Sequence, residues 1–214
     1  MSTDMAMAVQ MARATAEALI AATNELCALD SVAGDGDHGF AMAAASKGIL
    51  AQLDSRPPAD VRQLFAIVGS EFSKVGGSMG ALIFVAADAV SAAIGATESM
   101  HGANVAAALL TSAQNAITEF GGAKLGDKTL VDALDAARAA CEDASADEPT
   151  AQTLRRASDA AKAGAAATAK MTAKVGRASR LGEIGRGSAD AGATSFAVCM
   201  EALASTCMNW KKKA

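Results

Sequence analysis

The 214-residue chain contains no tyrosine, and aromatic residues make up only 3% of it. Strand-rich chains usually draw on aromatic and β-branched residues, so this scarcity argues against a sandwich or a β-barrel. It also removes the stacking platforms on which single-stranded nucleic acid rests. There is no basic excess either: the net charge is −4, which speaks against a nucleic-acid partner. Lys211, Lys212 and Lys213 read as a solvated tail. The cysteines Cys27, Cys141, Cys199 and Cys207 form no CxxC pair, and free buried thiols of a cytoplasmic protein are the expectation. No apolar run is read as long enough to span a membrane, and the N-terminus lacks the basic-then-apolar order of a signal peptide. No membrane partner is expected.

What the chain does have is apolar mass, 51% of residues, most of it alanine. Alanine is the best helix former and lets helices approach closely, so an all-α fold is expected. Periodicity and breakers place helices at 4–28, 40–53, 60–75, 81–94, 103–119, 129–144, 150–173 and 193–210. Pro57 and Pro58 forbid continuation, and Asp60 is placed to cap the helix that follows. The segment at 81–94 is apolar nearly all round and could be a buried strand, but its length and alanines favour helix. A loop is expected from Gly95 to Gly102, with His101 on the surface.

Between the helices lie Gly-rich intervals at 30–39, 76–80, 120–129 and 176–192. Antiparallel helices put alternate loops at one end of a bundle, so these four can converge on one site. In "LDSVAGDGDHGFAM", Asp30, Asp35 and Asp37 fall within eight residues. Carboxylates are hard oxygen ligands suited to Mg²⁺ or Ca²⁺. The spacing does not fit an EF-hand, because starting at Asp35 puts Ser46 where a bidentate Glu belongs. Two like charges about 4 Å apart repel by about 4 kcal/mol at an effective dielectric near 20, which favours a shared cation. The bland alternative is an acidic turn splayed into water.

The other loops can meet phosphate. "GGSMG" offers amides and Ser78 ahead of an apolar helix, although a close helix turn explains it as well. "GAKLGDKT" is not a Walker A loop, since Asp127 stands between Gly126 and Lys128 and no strand precedes it. Thr129 with Asp132 fits a capping box. Arg177, Arg180 and Arg186 can pair with phosphate or remain surface arginines. His38 can touch phosphate, bond to an aspartate or cap the next helix. No residue is assigned as catalytic, and covalent acyl chemistry has no support.

Taken in order, "GDGDHG" with Asp30 upstream, "GGSMG", "GDKTLVDAL" and "GRASRLGE" with "DAGATS" resemble the nucleotide-binding L subunit of dihydroxyacetone kinases. The same module forms the C-terminal domain of single-chain kinases of that group. The resemblance runs over essentially the whole chain and implies one nucleotide-binding domain, an eight-helix antiparallel barrel with the nucleotide at one end. It implies that Asp30, Asp35 and Asp37 bind two Mg²⁺ ions. It puts His38, Gly39, Phe40, Ala41, Ser78, Met79, Gly121, Leu130, Arg177, Asp190, Ala191 and Gly192 around ADP or ATP.

The implied activity is phosphoryl transfer to dihydroxyacetone or another short ketose held on a separate K-type subunit. The donor is ATP or a protein of a phosphotransferase system, and a homodimer is a further expectation. Ala41, Met79, Arg180 and Ala191 depart from the family pattern, and Ala41 and Met79 keep alive a non-catalytic, nucleotide-binding regulatory protein. Arg180 also points to a divergent partner or substrate, such as a four-carbon ketose.

Overall fold

The computed structural model describes residues 3–95, 102–145 and 147–210. Its helices are α1 (Thr3–Ala21), α2 (Thr23–Asp30), α3 (His38–Ser55), α4 (Val61–Ser73) and α5 (Gly77–Gly95), then α6 (Ala103–Gly121), α7 (Leu130–Glu142), α8 (Thr150–Ala167) and α9 (Ala191–Trp210). No strand occurs among the described residues. Contacts run α1 to α3 and onward in chain order to α9, which returns to α1, with α2 between α1 and α3. The result is a closed ring of antiparallel walls, α1 and α2 together making one wall.

Small residues set the spacing of the walls. Ala107, Ala133, Ala137, Ala157, Ala161, Ala165, Ala193 and Ala197 form one core cluster with Cys141 and Met200. A methyl group on Gly164 of α8 would lie 3.0 Å from the Cα of Ala133 and from the Asp132 carbonyl oxygen, so glycine there lets α8 approach α7. Larger side chains fill the other half, where Leu26, Met42, Ile49, Leu53, Leu64 and Phe72 pack together.

Helix boundaries follow local chemistry. The Asp60 carboxylate accepts from the Gln63 amide at 2.8 Å, as expected of an N-cap. Thr129 and Asp132 make the full capping box at the start of α7. Gly122, in the left-handed conformation, closes α6.

Several expectations need correction. The single helix at 4–28 is two, broken at Ala22, so the ring has nine α-helices among the described residues. The break is a tertiary effect: α3 begins against it, with the Gly39 Cα so near the Thr23 carbonyl that an added methyl would lie 2.0 Å from it. The helix at 150–173 stops at Ala167 and tightens into a 3₁₀ turn, Thr168–Lys170. Of "GGSMG" only Gly76 precedes α5; Gly77, Ser78, Met79 and Gly80 are its first turn. Inside the 176–192 interval lies a 3₁₀ stretch, Ala178–Gly185, interrupted at Gly182.

None of the four cysteines is in a disulfide, but only Cys141 and Cys207 are buried; Cys27 and Cys199 are half-buried. Contrary to the reading of the apolar runs, Gly77–Ile94 and Ala191–Trp210 are long and apolar enough to cross a membrane, at mean hydropathy 1.7 and 1.2. In this fold both are walls of the ring. The loop expected from Gly95 to Gly102, with His101, lies largely outside the described residues, as does the lysine tail.

Candidate functional site

The alternation of the ring brings residues 31–37, 74–76, 122–129 and 168–190 to one end. Side chains tie these four loops together. A methyl on Gly192 would lie 2.8 Å from the Met79 Cε and 3.5 Å from the Leu130 Cβ, and one on Gly185 would lie 3.2 Å from the Ala33 Cβ. The convergence expected from the sequence is therefore present.

Asp30 ends α2, and Asp37 is the residue before α3. Between them Gly36 takes φ 75, a conformation open mainly to glycine, and turns the chain back. Gly34 is needed for space, because a Cβ there would fall 2.3 Å from the Asp30 Oδ1. The outcome is that one carboxylate oxygen from each of Asp30, Asp35 and Asp37 lies within 4.8 Å of the others. Asp30 is also oriented by the backbone: its Oδ2 accepts from the Asp37 amide at 3.1 Å and from the His38 amide at 3.4 Å.

Arg177 faces the cluster, bonding to Asp35 and lying 3.5 Å from Asp37. It is one guanidinium against three carboxylates, and like charges at this spacing repel by about 3–4 kcal/mol per pair at an effective dielectric near 20. Three exposed or half-exposed hard oxygen donors converging on a point make a donor set that fits Mg²⁺.

His38, the first residue of α3, is buried. Its Nε2 lies 3.1 Å from the Ser195 Oγ, whose hydroxyl donates to the Gly192 carbonyl at 2.9 Å. A neutral ring protonated at Nε2 satisfies both bonds. Burial lowers the His38 pKa, opposed by the Asp30 charge and a hydrogen bond at the Ala191 backbone. Of the alternatives for His38, its amide meets the Asp30 carboxylate, while its ring bonds to a serine on α9.

Asp190 caps α9, its Oδ1 accepting from the Ala193 amide at 2.7 Å. Its carboxyl is pushed up to about 6, first by burial, with the Asp132 and Asp30 charges adding to it against Lys128 and the Ala193 amide.

The remaining expected contacts divide. Phe40 is 65% exposed at the mouth, beside the acidic loop. Ser78 is exposed on the first turn of α5. Ala41 and Met79 pack against the apolar core, and Leu130 is buried in the neighbouring cluster with Val131 and Leu134. Gly121 sits at the end of α6 against Leu82. Gly39 is buried where α3 meets α2, Ala191 begins α9, and Gly192 opens its first turn.

Three residues that sequence reasoning passed over belong here. Ser195 holds His38; Thr168 accepts the Asp190 amide at 2.8 Å; Lys128 is buried at 6% exposure. A lysine between Asp127 and Thr129, at a loop position, gave the only signal.

The model of the DAK2 domain matches residues 32–205, a span that contains Asp35 and Asp37 and begins two residues after Asp30. A relative named D-erythrulose kinase, from Mycolicibacterium smegmatis, is 38% identical over 89% of this chain and 33% of its own length. The ADP-binding subunit DhaL of PEP-dependent dihydroxyacetone kinase 1, from Listeria innocua, is 30% identical over 83% of this chain and 84% of its own. The crystal structure of the dihydroxyacetone kinase from C. freundii in complex with AMP-PNP and Mg²⁺ superposes with a TM-score of 0.75 at 28% identity, covering 94% of this chain and 34% of that one. The chain thus spans about a third of the erythrulose kinase and of the C. freundii kinase, and most of the DhaL subunit. With the matched span and the fold agreeing along the ring, the chain belongs to the DAK2 domain family.

Proposed function

We propose that this chain is the nucleotide-binding, phosphoryl-transferring part of a short-ketose kinase, working with a K-type partner subunit or domain that holds the ketose. The observation that carries the reading is the convergence of the Asp30, Asp35 and Asp37 oxygens within 4.8 Å, set beside the N-termini of α3, α5 and α9 at one end of the ring. Helix N-termini present unpaired amides and favour anions. Asp30, Asp35 and Asp37 are the residues to hold Mg²⁺, two ions on the resemblance to L subunits. Bound there, the metal supplies charge neutralisation for a polyphosphate.

The chain's own residues do the rest. The backbone amides of Asp37 and His38 hold the Asp30 carboxylate in one orientation. Arg177, 57% exposed and tethered to the cluster, is placed to follow a phosphate as the transferring group gathers charge. Met79, Leu130 and Gly192 form an apolar contact beside the α9 N-terminus that suits a nucleoside better than bulk water. Around this end Val32, Phe40, Phe120, Leu125, Leu181 and Ile184 are large apolar side chains left exposed, a surface that fits a protein partner. Four-carbon ketoses are the favoured substrates, because erythrulose kinases stand among the relatives at 32–38% identity.

The test is calorimetric titration with ADP and Mg²⁺, followed by transfer assays with a K-type partner, ATP and either dihydroxyacetone or erythrulose. Metal-dependent binding and phosphorylation of a ketose are expected. Binding without transfer to any short ketose would reject the enzyme and leave a regulatory nucleotide-binding protein. Nucleotide retained through purification would identify ADP as a resident group recharged by a phosphoprotein; an empty, freely exchanging site would identify ATP as the substrate.

A further inference from the structure

Lys128 is unlike the other cations of the chain. It is the one non-glycine residue with positive φ among the described residues, at 62, a conformation disfavoured for an L side chain. It is 6% exposed, and lysine is rarely buried unless its ammonium is partnered. The partners are two backbone carbonyls, those of Thr168 and Ser188, each 2.6 Å from the Nζ. Burial lowers its pKa, against the charges of Asp190 and Asp132.

Those two carbonyls are the two ends of a strap. Residues 168–190 leave the ring at the end of α8 and return at the start of α9. At the neck the Gly187 amide donates to the Ala169 carbonyl at 2.8 Å, and the Asp190 amide donates to the Thr168 Oγ at 2.8 Å. Lys128 crosses this neck from a third segment. Gly185 flanks its stem, since a methyl there would stand in ordinary contact with the Lys128 Cε at 3.7 Å. The segment behind Lys128 is rigid, because the buried Asp132 side chain accepts from the Gly126 amide at 2.6 Å and from the Thr129 amide at 2.8 Å. One arm of the strap carries Arg177 onto Asp35 and Asp37. Its return delivers Asp190 and Gly192 to the α9 N-terminus.

We propose that Lys128 is a positioning residue for the nucleotide site: its ammonium bolts the neck of the 168–190 strap to the α7 N-terminus and so holds Arg177 and Asp190 in place, without touching the ligand itself. The proposal rests on the nucleotide reading above, but the neck can be tested apart from it.

The experiment uses the full chain and the variant Lys128→Gly, which relieves the positive φ and leaves a space the size of the missing butylammonium side chain. Two readouts are taken: the Kd for ADP with Mg²⁺, and amide hydrogen exchange across 170–187. In the variant, Kd is expected to rise at least tenfold and strap exchange to accelerate. Both should be restored in part by millimolar butylammonium, and by neither butanol nor sodium chloride at equal concentration. A merely structural loss of packing is not mended by a cation and spared by the alcohol. Unchanged Kd and unchanged exchange in the variant overturn the proposal, as does equal rescue by butanol. If wild-type protein fails to bind ADP with Mg²⁺, the nucleotide reading falls; ammonium-rescued exchange then still supports the bolt, and unaltered exchange overturns it too. Should Lys128→Gly fail to fold, Lys128→Met keeps the aliphatic stem, and the same loss of affinity with faster strap exchange is expected of it.

Discussion

Two acidic centres in this molecule use the same chemistry to opposite ends. On the wall of the ring, Glu201 of α9 accepts from Arg155 at 2.5 and 3.0 Å, from Lys162 at 2.6 Å, from Ser158 at 3.0 Å and from Ser205 at 2.7 Å. Its carboxyl is held far below the usual carboxylate range, chiefly by the Arg155 bonds. At the loop end, three carboxylates cluster around one point, and the exposed guanidinium of Arg177 pairs with two of them, Asp35 and Asp37. The first centre has more donors than it needs and fastens α8 to α9. The second has more acceptors than the chain can serve. An acidic residue is informative about ligands only when its own fold leaves it short of donors.

The sharpest way to break this comparison is to remove one acid from each centre. Asp35→Asn is expected to weaken Mg²⁺-dependent ADP binding at least a hundredfold, about 2.7 kcal/mol, without lowering the melting temperature of the free protein, because it relieves like-charge repulsion. Calorimetry and melting curves check both halves; tight metal-dependent binding by the variant would remove Asp35 from the site. Next in size is Asp190→Asn, at the cap of the helix that carries Glu201. The Asp190 carboxyl sits near 6 in the fold, above the ordinary aspartate value of about 3.9. The folded state therefore holds this proton more tightly than the unfolded one, and stability is lost as pH rises from about 4 through 6. Asparagine keeps an oxygen for the Ala193 amide and carries no charge. The variant should be more stable than wild type by about 2 kcal/mol at pH 7.5 and no more stable at pH 4, measured by denaturant unfolding. Equal stability at both values would count against a shifted Asp190.

Glu201→Gln tests the saturated centre and should act in the opposite sense. Nucleotide binding is expected to be unchanged while stability falls by about 1–2 kcal/mol, the worth of charged hydrogen bonds discounted for partial exposure. The Glu201 pKa is depressed, so this contribution is complete above the ordinary Glu value of about 4.3 and is lost as pH falls below it. Wild type and variant should converge in acid. A loss of ADP affinity in Glu201→Gln would mean that the two centres are coupled through α9.

The difference between the centres also explains what could be read from the sequence. Asp30, Asp35 and Asp37 lie within eight residues, with glycines between them, so the cluster and the need for tight turns are local and legible. The meeting of the four loops followed from helix alternation alone. The Glu201 network joins residues 39–50 positions apart through helix faces that periodicity does not orient to one another. Lys128 reaches across 40 and 60 residues to carbonyls, and a carbonyl carries no residue identity to read. Met79 packs partly against two core clusters, a placement that motif membership does not reveal, because helical position decides which way a side chain points. The break at Ala22 was invisible for the same kind of reason: the helix sequence is continuous, and the start of α3 presses against it from outside.

Arg177 is where the smallest effect is expected and where it separates two explanations of the loop end. Its pairs with Asp35 and Asp37 are at least half exposed, and exposed pairs contribute about 0–1 kcal/mol and fade with salt. Arg177→Ala should therefore change the stability of the free protein by less than about 1 kcal/mol, and by still less in 0.5 M salt. A guanidinium resting on two carboxylates also competes with a cation for them. With Mg²⁺ alone the variant should thus gain more thermal stabilisation than wild type, whereas with ADP and Mg²⁺ together it should gain less, since the arginine is then wanted by the phosphates. A variant that loses stabilisation by Mg²⁺ alone would show that Arg177 organises the aspartates rather than competing for them. The loop end would then resemble the saturated Glu201 centre more closely than its excess of carboxylates implies.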